Sequence, residues 1–255
     1  MRHASTIAAI IVAAAAVSAE AVTKGPDAFG YVVTDDVAYA WEDISASGST
    51  WQPPADDRAK TANMGFDFTI YGKTYTYARF SDNGLIAFGN ENTQETNVDL
   101  TSQSPAWDLP TIAVLWDDWF IATSMPAYYE TLGTVPGDRR FIVQWEQVAV
   151  APGGSDTVTF QAILYEGSGT ILLQYEDVVV TGSDGSHDNG LSATVGIRDT
   201  DGHSSGRNLQ WSYNQAAITD GLALEFTIIP EPVTMAGLML GIGCLTRYVR
   251  KRRRA

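Results

Sequence analysis

Trp116-Asp117-Asp118-Trp119 is where the sequence most openly offers chemistry. Neighbouring carboxylates can hold a cation or serve as acid and base. A glycosidase needs two carboxyls about 5–10 Å apart across a sugar, and Glu146 or Glu176 could supply the second. Strand alternation, however, sends successive side chains to opposite faces, so Asp117 and Asp118 do not act as one pair. The preceding Ile112-Ala113-Val114-Leu115 is continuously apolar, as in a strand covered on both faces. The two acids therefore fall where that strand leaves the core. Backbone donors, an arginine or a cation should satisfy them there, with both tryptophans packed inward. Asp117 and Asp118 are thus candidate ligand or cation residues, and also the acids that a secreted glycoside hydrolase would use.

A second acidic stretch, Asp199-Thr200-Asp201-Gly202-His203, suits weak calcium binding through Asp199 and Asp201. Calcium takes about six to eight oxygens, largely carboxylates and carbonyls on such loops. Asx-turns explain Asp-Gly loops equally well without an ion, and the full EF-hand pattern is absent. No other cofactor is expected. The three histidines, His3, His187 and His203, fall in no zinc-binding spacing. No G-x-S-x-G elbow anchors a serine nucleophile, and no phosphate-binding glycine loop occurs. Of the seven tryptophans, Trp51 and Trp107 lie beside prolines and are the better candidates for exposed, sugar-stacking rings. The rest suit a core, where aromatics bury large area.

The elements that must position these residues are strands. No long 3.6-residue periodicity appears between residues 25 and 229; short alternating runs broken by Gly, Asn and Asp appear instead. Thr74 to Phe80 alternates, Asp82-Asn83-Gly84 turns it, and Leu85 to Phe88 returns. Phe141, Val143 and Trp145 share one face of the next long run. Val158, Phe160, Ala162 and Leu164 share a face of the one after it. The pattern predicts an all-β, antiparallel β-sandwich of roughly ten to twelve strands over 22–229, as one domain.

Residues 20–229 carry 29 acidic and 9 basic side chains, a net charge near −20. That argues against nucleic acid and anionic lipid as partners. The single cysteine, Cys244, lies near the C-terminus, which excludes disulfides and a catalytic thiol from the β-rich middle.

Both ends read as processing segments. Arg2 and His3 precede an apolar core, Ile7 to Val17, and small residues allow cleavage after Ala19 or Ala21. Residues 1–21 are therefore expected to be a signal peptide removed by signal peptidase. At the other end, Pro230-Glu231-Pro232 precedes an apolar run of 13 residues, Val233 to Leu245. Arg247, Arg250, Lys251, Arg252, Arg253 and Arg254 follow as a positive stop. As a helix the apolar run spans about 20 Å, short of the roughly 30 Å hydrocarbon core. Thr246 to Val249, with Arg247 snorkelling, lengthen it to a marginal transmembrane helix, which suits a transient hold.

Residues 230–255 resemble the PEP-CTERM sorting signal of Gram-negative bacteria, with motif, apolar segment and basic cluster in order. The resemblance implies an exosortase partner, recognition around Pro230-Glu231-Pro232 and removal of the tail. It further implies passage across the inner membrane, transient anchoring, and delivery to the cell surface or extracellular matrix. The middle is also familiar. GFDFTIYGKTYTYARFSDNGLIAFG (65–89), IAVLWDDW (112–119) and TFQAILYEGSGTILLQYEDV (159–178) resemble secreted bacterial β modules found alone or beside subtilisin-like proteases, and distantly the nidogen-type extracellular domains. These motifs are structural, and no catalytic residue carries over. The expectation is a non-catalytic protein with a structural or binding role in matrix or exopolysaccharide.

Overall fold

The computed structural model describes residues 20–51, 54–102, 109–122, 126–150, 156–180 and 185–229. Residues 1–19 of the expected signal peptide, Trp107, Cys244 and the whole C-terminal segment with its motif, apolar run and arginines lie outside them. Among the described residues no helix is long and apolar enough to cross a membrane.

Fourteen strands of the described residues form two antiparallel sheets. In chain order they are β1 Thr23–Lys24, β2 Tyr31–Thr34, β3 Ser49–Thr50, β4 Ala59–Ile70, β5 Lys73–Ser81, β6 Leu85–Ala87 and β7 Thr111–Trp116. They continue with β8 Ala127–Leu132, β9 Arg140–Ala149, β10 Thr157–Tyr165, β11 Ile171–Asp177, β12 Thr194–Arg198, β13 Asn208–Tyr213 and β14 Ala223–Ile228. One sheet runs β1-β2-β14-β11-β10-β9-β8-β3, and the other β13-β12-β7-β6-β5-β4. The strand count exceeds the sequence expectation because β1, β3 and β6 are only two or three residues long, too short to show a period. The described helical pieces are Asp188–Gly190 and α1, Gly202–Ser205.

Each strand's pattern follows from what covers it. In β4, Ala62, Met64, Phe66, Phe68 and Ile70 are buried while the intervening residues face water. That is the alternation of an edge strand with one wet face. In β7 every residue is buried, in keeping with its unbroken apolar run. The inner faces meet in one core, to which β9 and β10 give Phe141, Val143, Trp145, Phe160 and Ala162. The Trp145 and Phe160 rings stack at 4.9 Å. Tyr175 of β11 reaches across to donate its hydroxyl to the Val114 carbonyl at 2.7 Å, tying the sheets together.

The β5–β6 hairpin forms as expected, with Phe80 opposite Ile86, but with a different turn. Of Asn83 and Gly84 only Gly84 takes positive φ, +72°. The loop is therefore a three-residue one with glycine in the left-handed position, not the two-residue mirror turn. Glycine is also required by space: a Cβ there would lie 2.4 Å from the Leu115 carbonyl oxygen.

The outer face of the eight-stranded sheet carries an unexpected device. Gln144, Gln161 and Gln174 are fully buried and stand in register across β9, β10 and β11. Together they hold the extended strap 40–44. Gln174 accepts from the Ala40 N–H at 2.7 Å and donates to its carbonyl at 3.0 Å. Gln161, in the amide orientation that satisfies both its atoms, donates to the Glu42 carbonyl at 3.2 Å and accepts from its N–H at 3.1 Å. Gln144 accepts from the Ile44 N–H at 3.0 Å. The carboxamides act as a column of surrogate backbone groups, meeting every second residue of the strap. A small apolar cluster of Ile44, Ile142, Ile163, Leu172 and Ala223 fills the space beneath. Gln161→Leu leaves two backbone groups of Glu42 without their partner, at a cost of about 1–3 kcal/mol. Hydrogen exchange should show the Glu42 amide losing protection in this variant, and unchanged protection would mean that the strap is held otherwise.

Candidate functional site

The end of β7 meets the chain that leads into β12. Trp116 lies opposite Thr194, so the residues just beyond Trp116 face those just before Thr194. Asp117 is 7% exposed. Its Oδ1 accepts from the Asp118 N–H at 3.0 Å. Its Oδ2 accepts from the Ser192 hydroxyl and lies 3.0 Å from His187 Nδ1. Ser192 Oγ is in turn 2.8 Å from that same nitrogen. Three side chains from two chain segments therefore close a ring, with the His187 and Trp119 ring centroids 5.9 Å apart.

The residue types are those of a hydrolytic triad, but the connectivity is not. In a triad the acid and the serine use opposite imidazole nitrogens, so that histidine can take the serine proton while the acid steadies it. Here both meet Nδ1, and Ser192 gives its proton to Asp117 directly. The arrangement ties two loops together; it does not activate a nucleophile.

The two flanking tryptophans part company. Trp119 packs inward and belongs to the main core. Trp116 is equally buried, but in a separate cluster with Leu85, Leu100 and Ala113. It donates its indole N–H to the Gln94 carbonyl at 2.7 Å. The expectation that both point into the core holds for Trp119 alone, because the β7–β12 register shifts between Ala113 and Trp116 and leaves Trp116 on the same side as Ala113.

Asp118 is exposed and joins an acidic rim. Partial burial, then Asp57, Asp56 and Asp117, raise its pKa, against the lowering influence of His187. Glu95 is raised chiefly by the neighbouring charges of Asp57 and Asp118. Below the rim, Asp82 is fully buried. Burial pushes it up to about 7, although it accepts the Arg58 and Asn83 N–H groups. Asn83 links the rim to the strand end, donating to Asp57 at 3.0 Å and accepting from the Trp119 N–H at 2.9 Å. Among the described residues no group of three or more His, Cys, Asp or Glu is placed to hold a metal.

Asp199 is 2% exposed, and cations of the chain itself meet its charge. Lys73 Nζ lies at 3.5 Å and Arg207 at 3.2 Å, and the Thr200 N–H donates at 2.8 Å. Asp201 takes a left-handed backbone, φ 53°, before α1, and its carbonyl accepts from the Ser204 and Ser205 amides. The residues singled out for calcium thus serve a salt-bridge cluster and a turn. Trp51 is not an exposed platform: it is 6% exposed and packs edge-on against Phe80. Among the described tryptophans Trp41 is the half-buried one, on the strap.

The sequence reading missed His187 and Ser192 as partners of Asp117, and the three glutamines. The glutamines did leave a signal. Polar residues set singly in apolar runs, as in Phe160-Gln161-Ala162 and Leu173-Gln174-Tyr175, sit on the face that alternation leaves outward.

A family model for NIDO-related domains matches residues 30–231. The chain belongs to the NIDO-related family. No curated protein and no solved structure matches it. The NIDO-related span begins one residue before β2 and runs past β14. It takes in β2 to β14, the strap, the Asp117–His187–Ser192 ring and the acidic rim. The nidogen-like resemblance of the middle is therefore sound.

Proposed function

We propose that this NIDO-related chain is a secreted, non-catalytic module of the bacterial cell surface or extracellular matrix, with a structural or binding role. The observation that carries this reading is the closed ring at Asp117. The carboxylate that catalysis would need open is occupied by Ser192 and His187. The family match supports an extracellular role, and it ends at residue 231, within Pro230-Glu231-Pro232. A folded module followed by a sorting tail is what an exosortase substrate requires. The tail's arginines would stay cytoplasmic and hold the protein during processing. The competing reading is a polysaccharide hydrolase, with Asp118 as its remaining acid, exposed and with a raised pKa.

Mass spectrometry of the mature protein from its own host tests the proposal. The N-terminus is expected at Glu20 or Val22, and the C-terminus near Pro230-Glu231-Pro232. Deleting Arg250 to Arg254 should abolish trimming and release the protein from its normal location. A deletion variant that is trimmed and placed like the wild type would refute the sorting reading. Sugar release by the wild type that vanishes in Asp118→Asn would establish the hydrolase.

A further inference from the structure

The strap that the glutamine column fixes forms one wall of a groove on the outer face of the eight-stranded sheet. The groove encloses about 570 Å³, within the usual range of ligand sites, about 300–1,000 Å³. Trp41 and Tyr165 supply aromatic surface, Glu42 and Glu225 carboxylates, and Ser168 and Thr170 hydroxyls. We propose that this groove binds a neutral, hexose-based polysaccharide. The inference rests on the reading of the module as a matrix binder and gives that reading a site and a ligand class.

The chemistry fits sugar better than a flat apolar partner. A pyranose ring presents a C–H face, which stacks on an aromatic ring, and a rim of hydroxyls, which needs acceptors and donors. The groove alternates these features, and carboxylates are the strongest hydroxyl acceptors among side chains. It is also preorganised, which spares the ordering cost of binding. Backbone bonds to Gln174 and Gln161 pin both neighbours of Trp41. Tyr39 stacks on the Trp41 indole at 6.4 Å and 24°. Arg140 grips Glu42 through Nε at 2.8 Å to both carboxylate oxygens, which also cancels the arginine's charge. Glu225 has no ion-pair partner among the described residues. The groove is therefore net negative on a strongly acidic protein, so uronic or sulfated polymers are repelled.

Affinity electrophoresis of the full chain, in gels containing mixed-linkage β-glucan, dextran, galactomannan or alginate, tests this. At least one neutral polymer should retard the wild type, and alginate should not. Trp41→Ala should weaken retention roughly tenfold or more, as loss of an aromatic anchor does. Glu225 makes no ion pair among the described residues, so Glu225→Ala should weaken retention with little change in melting temperature, and a misfolded Trp41→Ala protein would not rescue the idea. Retention unchanged in both variants would overturn the groove and leave polymer binding standing elsewhere on the module. No retention by any neutral polymer, or retention by alginate alone, would overturn the ligand class. Reducing ends released from a retained glucan would instead overturn the non-catalytic reading.

Discussion

Trp119→Ala is expected to lower the melting temperature by roughly 6–20 °C. Emptying a large aromatic site in a core costs about 3–5 kcal/mol, and each kcal/mol moves a domain of this size by about 2–4 °C. Trp119 is 1% exposed and lies between the sheets. Its indole N–H donates to the Leu115 carbonyl at 2.6 Å, and its backbone N–H to Asn83. The truncation therefore opens a cavity and strands the Leu115 carbonyl inside it. Trp116→Ala empties an equally buried site, but on the other side of the sheet, where its N–H holds Gln94. The two variants should differ in kind. Loss of Trp119 should lower global stability, seen as faster exchange throughout β9 and β10. Loss of Trp116 should first release the segment around Gln94, which can settle into part of the space. A Trp119→Ala protein melting within a degree or two of the wild type would mean that the core does not depend on this ring.

What the sequence disclosed about this fold, and what it withheld, has a common physical cause. Alternation is a local property, so β5, β9 and β10 could be read from their residues, as could the buried β7. Contacts made over long separations left no such trace. His187 and Asp117 are 70 positions apart, and only the pairing of β7 with β12 brings them together. The strap was equally hidden. Residues 37–44 alternate like a strand, yet their backbone partners are side chains more than 90 positions away. Trp41 and Trp51 show the limit of reading exposure from neighbours. Prolines beside Trp51 suggested a surface loop, but its ring is anchored against Phe80, while the glutamine column holds Trp41 at the surface.

Stability should fall between pH 5 and pH 8, the reverse of the usual acid-labile pattern, and Asp82 should be its largest single source. In the unfolded chain an aspartate titrates near 3.9; in the fold Asp82 is held up to about 7 by burial. Below about pH 4 both states are protonated and the group contributes nothing. As pH rises toward 7 the unfolded state ionises freely while the folded one keeps its proton, so each step favours unfolding. Above 7 the penalty is constant, at most about 4 kcal/mol for a shift of some three units. Asp118, Glu95 and Glu176 are raised as well and act in the same direction. Glu166 acts oppositely, since Arg139 holds it down to about 2, but that stabilisation is lost only below about pH 4.5, outside the window. Asp82→Asn separates the buried group from the rest. Its amide oxygen can still accept from Arg58 and Asn83, while the charge that must be desolvated is gone. The variant should match or exceed the wild type in melting temperature at pH 8 and lose most of the difference between pH 5 and pH 8. Parallel curves for the two proteins would mean that Asp82 is ionised throughout, stabilised by the donors around it, and that any remaining slope belongs to the exposed acids of the rim.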